Sequence, residues 1–370
     1  MASKASALEY VDDSGPGITR KRAGHGWAYF DPNGKRITDR DEIDRLNRIA
    51  LPPAYTSAWY CPKACGHILA TGIDAKGRKQ YRYNPEFRTR QEAEKFDGCA
   101  EFGRLLPKVR KRVEKDLASN KLTRERAIAS VVRLLDLGAI RVGNESYAQE
   151  NKSFGATTLR MRHAKVSGGK LRLRFKAKSG QLKEATITDR ALIRFVRRMQ
   201  DLPGQELFCY VDEAGVTRRV ESADVNAYLK ESSSSDFTSK DFRTWAGTVL
   251  AARALRAFPA SASPAEARRN VGLAIEAAAK DLGNTKAVCR KCYVHPAILA
   301  SYLDGTLTRA FERRGEEAAV LALLRARAKH DARTAKRSGA DGSRLLPVLA
   351  RSLAIARKQP EARQTARALR

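Results

Sequence analysis

Two hydrophobic periodicities alternate along the chain and divide it into regions of different character. Across residues 26–83, short apolar stretches are separated by turn sequences such as DPNG at 31–34, which predicts strands joined by tight turns. One helix is predicted where Ile43, Leu46 and Ile49 recur on a single face. The pattern therefore predicts a small, β-rich region near the N-terminus that contains one helix.

From about residue 91 the apolar spacing becomes helical. Thr123 is a predicted N-cap, and Gly138 suits the left-handed residue that closes the helix begun there. Thr238 and Ser263 are predicted to cap two later helices, and Gly283 is predicted to end the second of them. The sequence therefore predicts an α+β protein with a small β-rich N-terminal domain and a larger, mainly helical domain.

A β-hairpin interrupts the helical region. A Gly-Gly pair separates two strand-like runs, and the second run, KLRLRFKAK, alternates apolar and basic residues. Lys178 lies at the tip of a second turn, from which a lysine can enter a groove and protonate a leaving oxygen. Lys176 and Lys183 are alternatives for such a role. The basic strand face could equally be solvated or touch phosphates without specificity.

Shifts in composition predict four segments. Residues 1–20 are polar and punctuated by glycine and proline, which is typical of a flexible arm. Residues 21–90 form the β-rich domain, and residues 91–325 form the mainly helical domain. Residues 326–370 make a basic C-terminal tail that either attracts a polyanion or is disordered.

The charge balance narrows the class of partner. Lysine and arginine together number 71 against 41 acidic residues, so the formal net charge is +30. Such an excess favours a polyanionic partner, most often nucleic acid, over a merely basic soluble protein. The chain has no apolar run long enough to span a membrane and no apolar segment near its start that predicts secretion. We therefore expect a cytoplasmic protein without a membrane partner.

The cysteines raise the question of a zinc site. Two close pairs each have a histidine nearby: Cys61 and Cys65 with His67, and Cys289 and Cys292 with His295. Zinc ribbons usually contain two CxxC pairs at moderate separation, whereas these pairs lie far apart and the first has a different spacing. Reduced thiols and no bound metal are therefore expected.

The segment LGNTKAVCRKCY contains a candidate nucleophile, Tyr293. A phenol has a pKa near ~10, so it needs cationic neighbours and hydrogen-bond donors to attack a phosphate at neutral pH. Asn284 could donate its amide to a phosphate oxygen, and Lys286, Arg290 and Lys291 make the segment attractive to a polyanion. A tyrosine beside lysines is more often an ordinary surface aromatic, so the interpretation depends on companions elsewhere in the chain.

Two arginines are candidate companions. Arg141 lies in a turn between two predicted helices, where its guanidinium could reach a phosphate or form a salt bridge with Glu145 or Asp136. Arg243 lies near the N-terminal end of the helix that Thr238 caps, and such helix ends favour anions.

Three sequence motifs resemble a known family. AIRVGNESY, KDFRTW and LGNTKAVCRKCY are similar, in order and local context, to the signatures of type IB DNA topoisomerases of the compact poxvirus-like branch found in bacteria. The resemblance covers about residues 18–310. It assigns Tyr293 as nucleophile, Arg141 and Arg243 as the catalytic arginines, Lys178 as the hairpin lysine, and Asn284 at a position that is histidine in many members.

The resemblance implies an activity and an architecture. The implied enzyme is a monomer that relaxes supercoiled double-stranded DNA in the nucleoid through a 3′-phosphotyrosyl intermediate, without ATP, metal or other cofactor. A C-shaped clamp around DNA is also implied. The alternatives are a tyrosine recombinase, which usually has a helical N-terminal DNA-binding domain, and a DNA-binding protein without catalytic activity.

Overall fold

The structure, a computed structural model, describes residues 8–201, 204–259, 261 and 263–337. It divides the chain into two units, of which the first ends at Lys95 and the second begins at Phe96. Strands dominate the first unit and helices the second, so the α+β class predicted from the two periodicities is confirmed.

A five-stranded antiparallel sheet forms the first unit, in the order β2-β1-β3-β4-β5. A small core on one side of this sheet includes Ile18, Tyr29, Leu46 and Tyr60, and the rings of the two tyrosines meet edge to face at 5.4 Å. The elements are β1 (Ile18–Ala23), β2 (Gly26–Phe30), α1 (Arg40–Arg48), β3 (Thr56–Tyr60), β4 (Ile68–Ile73) and β5 (Lys79–Tyr83).

Helices with a three-stranded sheet and a short hairpin form the second unit around one large core. The first helix, α2 (Pro85–Ala118), begins before the division at Lys95. The others are α3 (Arg124–Gly138), α4 (Glu145–Asn151), β6 (Ala164–Ser167), β7 (Lys170–Lys176), β8 (Leu182–Ile187), α5 (Arg190–Gln200), β9 (Cys209–Val211), β10 (Thr217–Arg219), α6 (Ser222–Ser233), α7 (Ser239–Arg256), α8 (Pro264–Leu282), α9 (Lys286–Cys292), α10 (Pro296–Leu303), α11 (Thr306–Glu312) and α12 (Glu316–Arg337).

Side-chain caps start the helices that carry the candidate site. The hydroxyl of Thr123 accepts from the backbone N–H of Arg126 at the start of α3, and Ser263 does the same for α8. Thr238 and Asp241 form the capping box of α7. Each cap satisfies a backbone donor that has no partner inside its helix, so these helix starts could be predicted from local sequence.

The end of α3 differs from the prediction. Gly138 is the last helical residue, and the left-handed conformation belongs to Ala139, with φ +47°. The Ala139 carbonyl accepts a hydrogen bond from Arg243, a residue far away in sequence. This long-range contact explains why the chain adopts the left-handed turn at an alanine rather than at the adjacent glycine.

The hairpin forms as predicted, with glycines of positive φ between β6 and β7. On β7, Leu171, Leu173 and Phe175 are buried while the basic residues between them are exposed. The first strand of the hairpin was predicted over TTLRMRHAKV (157–166), but strand is present only at Ala164–Ser167, and two short 3-10 turns precede it, Ala156–Thr158 and Met161–His163. The N–H groups of Ala156, Thr157 and Met161 donate to carbonyls outside the sheet, so they do not extend its ladder.

At both ends of the described chain, the elements also differ from the predicted segments. Strand β1 begins at Ile18, inside the predicted arm, because Ile18 is buried in the core of the first unit. Helix α12 continues to Arg337, past residue 325, and its residues Val320 and Leu324 are buried. Pro203, predicted to stop a helix, and the tail from residue 338 lie outside the described residues. No helix within the described ranges is long and apolar enough to cross a membrane.

Candidate active site

The loop that carries Arg141 is fixed by a close crossing of two backbone segments. The N–H of Ala156 donates to the Arg141 carbonyl at 2.8 Å, and the N–H of Thr157 donates to the Val142 carbonyl at 2.7 Å. Gly143 has φ +104°, and a Cβ on Gly155 would lie 2.5 Å from the Gly143 nitrogen. Both positions therefore require glycine, and together they hold the backbone from which the Arg141 side chain projects.

The guanidinium of Arg141 contacts the candidate amide. Its Nη2 donates to Oδ1 of Asn284 at 2.6 Å. Glu145 and Asp136, which were the alternative partners, instead pair with Arg219 and Arg110. Because arginine only donates hydrogen bonds, this contact requires Asn284 to present its oxygen to Arg141 and turns the amide Nδ2 away.

Arg243 is buried between the C-terminal ends of α3 and α8. Its Nη1 donates to the carbonyl of Ala139, and its Nη2 donates to the carbonyl of Leu282 at 2.9 Å. Burial lowers the pKa of Arg243, and Arg141 lowers it further. The partial negative charge at the two helix ends offsets the free-energy cost of burying the charged guanidinium.

Tyr293 follows α9 directly and lies against Arg243. The Arg243 Cζ is 4.9 Å from the centre of the tyrosine ring, within the range of a cation–π contact. Beneath the tyrosine, the hydroxyl of Thr248 lies 3.2 Å from its carbonyl oxygen and accepts from the N–H of His295. Helix α7, which carries both Thr248 and Arg243, therefore positions Tyr293.

The two hairpin lysines lie in different environments. Lys178 is exposed in the turn Lys178–Gly180 between β7 and β8, where Ser179 has φ +65°. Lys183 is partly buried on the inward face of β8 and donates to the carbonyl of Asp281. Burial, Arg243 and Arg141 lower the pKa of Lys183, in that order of importance. The structure thus brings Arg141, Arg243, Asn284 and Tyr293 together, and leaves Lys178 at the exposed tip.

A shallow recess opens between the hairpin, the Arg141 loop and the end of α8. Arg141, Lys183 and Arg243 line it, and in the described part of the chain none of the three forms a salt bridge with a carboxylate. All their hydrogen-bond acceptors named above are neutral amide or carbonyl oxygens. Within the same ranges, Arg243 Nε and Asn284 Nδ2 are buried donors without a partner. This arrangement favours a bound anion.

Cys289 and His295 lie close to Tyr293 in the sequence, and burial shifts the pKa of each. Cys289 is buried, and burial raises the pKa of its thiol to about 11. The ring of His295 caps α10 by accepting from the N–H of Ala297, and burial lowers its pKa to about 4. Among the described residues, no group of three histidine, cysteine or acidic side chains lies close enough together to hold a metal.

Sequence reasoning missed the glycine beneath the tyrosine. A Cβ on Gly247 would lie 2.7 Å from the Tyr293 carbonyl oxygen and 2.9 Å from its Cβ. A glycine inside a helix was the available signal, because it is unfavourable there unless another segment approaches closely. The segment it approaches could not be inferred, because Tyr293 is distant in sequence.

Comparison with known proteins gives the family. Residues 84–314 match the family described as eukaryotic DNA topoisomerase I, catalytic core, and residues 26–74 match the bacterial DNA topoisomerase IB N-terminal domain. DNA topoisomerase 1B of Acanthamoeba polyphaga mimivirus is 36% identical over 295 residues, which cover 77% of this chain and 87% of the viral protein. DNA topoisomerase 1B of vaccinia virus (strain Copenhagen) is 20% identical over 297 residues, which cover 75% and 90%.

These matches agree with the folded structure. The N-terminal unit is a five-stranded sheet rather than the helical domain that a tyrosine recombinase would have. The two matched regions account for most of both units. The chain belongs to the type IB DNA topoisomerase family, with the bacterial type of N-terminal domain.

Proposed function

We propose that this protein relaxes supercoiled double-stranded DNA by cutting one strand and resealing it through a 3′-phosphotyrosyl bond on Tyr293, as a monomer acting at the nucleoid. Family membership supports DNA relaxation. The observation that carries the assignment of the site is the set of cations held by neutral acceptors beside two buried, unpartnered donors. A phosphodiester is the anion that such a site in this family receives.

The charges and donors have distinct roles in the proposed reaction. Arg141 and Arg243 stabilise the negative charge that accumulates on the non-bridging oxygens as the phosphorus becomes pentacoordinate. Asn284 donates from Nδ2, which its contact with Arg141 aims away from the guanidinium. A neutral imidazole can donate one such bond as well, so asparagine is a chemically adequate replacement for histidine at this position.

The proposed bond changes balance without an energy source. The Tyr293 oxygen forms a bond to phosphorus as the bond from phosphorus to the 5′-oxygen breaks, and the phenolic proton passes to solvent. Lys178 protonates the departing 5′-oxygen when the hairpin tip closes on DNA. Because one phosphodiester replaces another, the 5′-hydroxyl can reverse the reaction after the strand has swivelled, and neither ATP nor a metal ion is required.

The first unit offers a second surface for DNA. Strand β5 is an edge strand on which Tyr81 and Tyr83 are exposed and stacked, with ring centres 5.8 Å apart. Lys79 lies on the same face, with its ammonium 5.7 Å from the centre of the Tyr81 ring, and Arg82 lies on the opposite face of the strand. Exposed aromatic and basic side chains together suit contact with bases and backbone phosphates, and we propose that this strand binds the duplex.

The test is plasmid relaxation in the presence of EDTA and without ATP. Wild-type protein should relax negatively and positively supercoiled plasmid, whereas Tyr293→Phe should bind DNA with unchanged affinity and relax neither. Denaturing the reaction midway should leave protein attached to the 3′ end of the cut strand, and digestion should place the DNA on the peptide containing Tyr293. Attachment to another residue, or no relaxation by the wild type, would refute the proposal.

A further inference from the structure

Lys183 occupies a position where the strand pattern favours an apolar residue. It pairs with the buried Phe175 across β7 and β8, and the inward face of β8 continues through Ala185 and Ile187. Burying an ammonium group costs free energy that a methionine of similar shape would avoid. The two arginines beside the recess increase that cost, since they lower the lysine pKa further. A lysine at this position therefore requires a specific contact that offsets the free-energy cost of burying its ammonium group.

Lys183 contacts the last turn of α8, in which the carbonyl of each residue from 279 to 282 accepts a hydrogen bond. The N–H groups of Asn284 and Gly283 donate to the carbonyls of Ala279 and Lys280, at 2.9 and 3.1 Å. The next two carbonyls accept from side chains of other elements: Asp281 from Lys183, and Leu282 from Arg243. Such carbonyls have no partner within the helix, and cationic side chains suit the negative end of its dipole.

This turn joins the parts of the site. Gly283 and Asn284 follow it directly, so the carbonyl that Lys183 holds lies three residues before the amide that contacts Arg141. Lys183 itself lies just past the turn that carries Lys178, in the strand that pairs with β7. The lysine therefore links the base of the exposed tip to the helix end that positions Asn284 and Arg243.

We propose that Lys183 is a positioning residue that fastens the β7–β8 hairpin to the C-terminal turn of α8 and thereby sets where Lys178 meets the leaving oxygen. The proposal rests on the proposed function of Lys178. It differs from a direct role on the phosphate, because Lys183 acts through the hairpin. A displacement of about 1 Å at a reacting group can slow a reaction about 100-fold, so loss of the fastening should matter mainly for cleavage.

The first measurement needs no activity. Hydrogen exchange of the full-length protein without DNA should show faster exchange in the hairpin, including the N–H of Ala177 that bonds Gln181, in Lys183→Met than in the wild type. Lys183→Arg keeps a cation that can reach the carbonyl and should restore most of the protection. Lys115→Met, which removes an exposed lysine of α2, is the matched control and should leave the hairpin unchanged.

The second measurement is a double-mutant cycle on single-turnover cleavage. Lys183→Met should cleave about 10- to 100-fold more slowly than the wild type, with DNA affinity changed less than about threefold. In a Lys178→Ala background, the same substitution should produce little further loss, because the group it positions is gone. Lys183→Arg should recover most of the rate in the otherwise wild-type protein.

Specific outcomes would overturn the proposal. Unchanged hairpin exchange in Lys183→Met, or a cleavage rate within twofold of the wild type, would contradict it. Full additivity of the two substitutions would show instead that Lys183 acts on the phosphate independently of Lys178. Failure of the proposed function is a separate result, because it would appear as absence of relaxation by the wild type and would leave the exchange experiment interpretable.

Discussion

Replacing Gly247 with alanine should misplace the nucleophile while leaving every proposed catalytic side chain intact. The new Cβ would lie 2.7 Å from the Tyr293 carbonyl oxygen and 3.0 Å from a methyl carbon of Leu282, whereas ordinary contacts begin near 3.4 Å. Relieving the overlap requires the Tyr293 segment or α7 to move by about 0.5 Å, because the nearest obstacle is backbone and not a flexible side-chain end.

Two effects on stability oppose each other in this variant. Alanine is favoured over glycine inside a helix by about 1 kcal/mol, and Gly247 lies within α7. Overpacking a buried site costs about 1–3 kcal/mol. The net loss should therefore be about 0–2 kcal/mol, which leaves the protein folded and its DNA binding measurable. The rate of cleavage should fall about tenfold or more, since the attacking oxygen shifts relative to Arg243.

Single-turnover cleavage of a duplex whose short downstream fragment, which begins with the released 5′-hydroxyl, dissociates on cutting isolates this step from religation. Unfolding in urea, followed by circular dichroism, gives the stability of the same samples. Gly98→Ala in α2 is the matched control, because its Cβ would meet only a ring carbon of Phe237 at 3.7 Å. It should gain up to about 1 kcal/mol and cleave normally. Wild-type cleavage by Gly247→Ala would refute the argument that this glycine sets the position of Tyr293.

Three further predictions concern charge. Asn284→Asp should slow cleavage about 100-fold or more, because a carboxylate would pair with Arg141 and repel the phosphate; normal single-turnover cleavage would contradict this. Glu317→Gln, which weakens the contacts with Arg110 and Trp245, should cost about 1 kcal/mol in urea unfolding, against less than about 0.5 for Glu316→Gln, whose partner Arg253 is exposed. In the unfolded chain the pKa of His295 is about 6.5, whereas burial lowers its pKa in the folded protein to about 4. The free energy of unfolding should therefore fall as the pH drops from about 6.5 to about 4, by up to about 3 kcal/mol. His295→Asn, which can still cap α10, should flatten that decline in urea unfolding measured across the same pH range.

Local chemistry made much of the fold predictable. The caps Thr123, Thr238 and Ser263 and the terminator Gly283 act within a few residues of themselves, so their effects could be inferred from adjacent sequence. The alternation on β7 likewise predicted which of its side chains are buried. The left-handed turn was misplaced at Gly138 because Arg243 selects the Ala139 carbonyl from another part of the chain.

The site shows the same division between local and distant causes. Tyr293, Arg141, Arg243 and Asn284 could be proposed because motifs carried them, and the structure brings them together. Lys183 could be named only as a rival, since its importance depends on a carbonyl of α8 that sequence does not place beside it. Gly247 gave no specific signal, because the reason for a glycine there is the backbone of Tyr293.

The kind of acceptor distinguishes Arg110 from the two arginines of the recess. Arg110 is bound by the carboxylates of Asp136 and Glu317, which neutralise it and tie helices together. Arg141 and Arg243 are bound by neutral oxygens, which fix their direction without cancelling their charge. A carboxylate in either place would have to be displaced before a phosphate could bind, at a cost that grows with burial. A net charge of +30 cannot by itself separate these two uses of arginine, because both contribute equally to the sum. The acceptor separates Arg110 from Arg141 and Arg243, and in the proposed function the two recess arginines keep their charge available for a DNA phosphate.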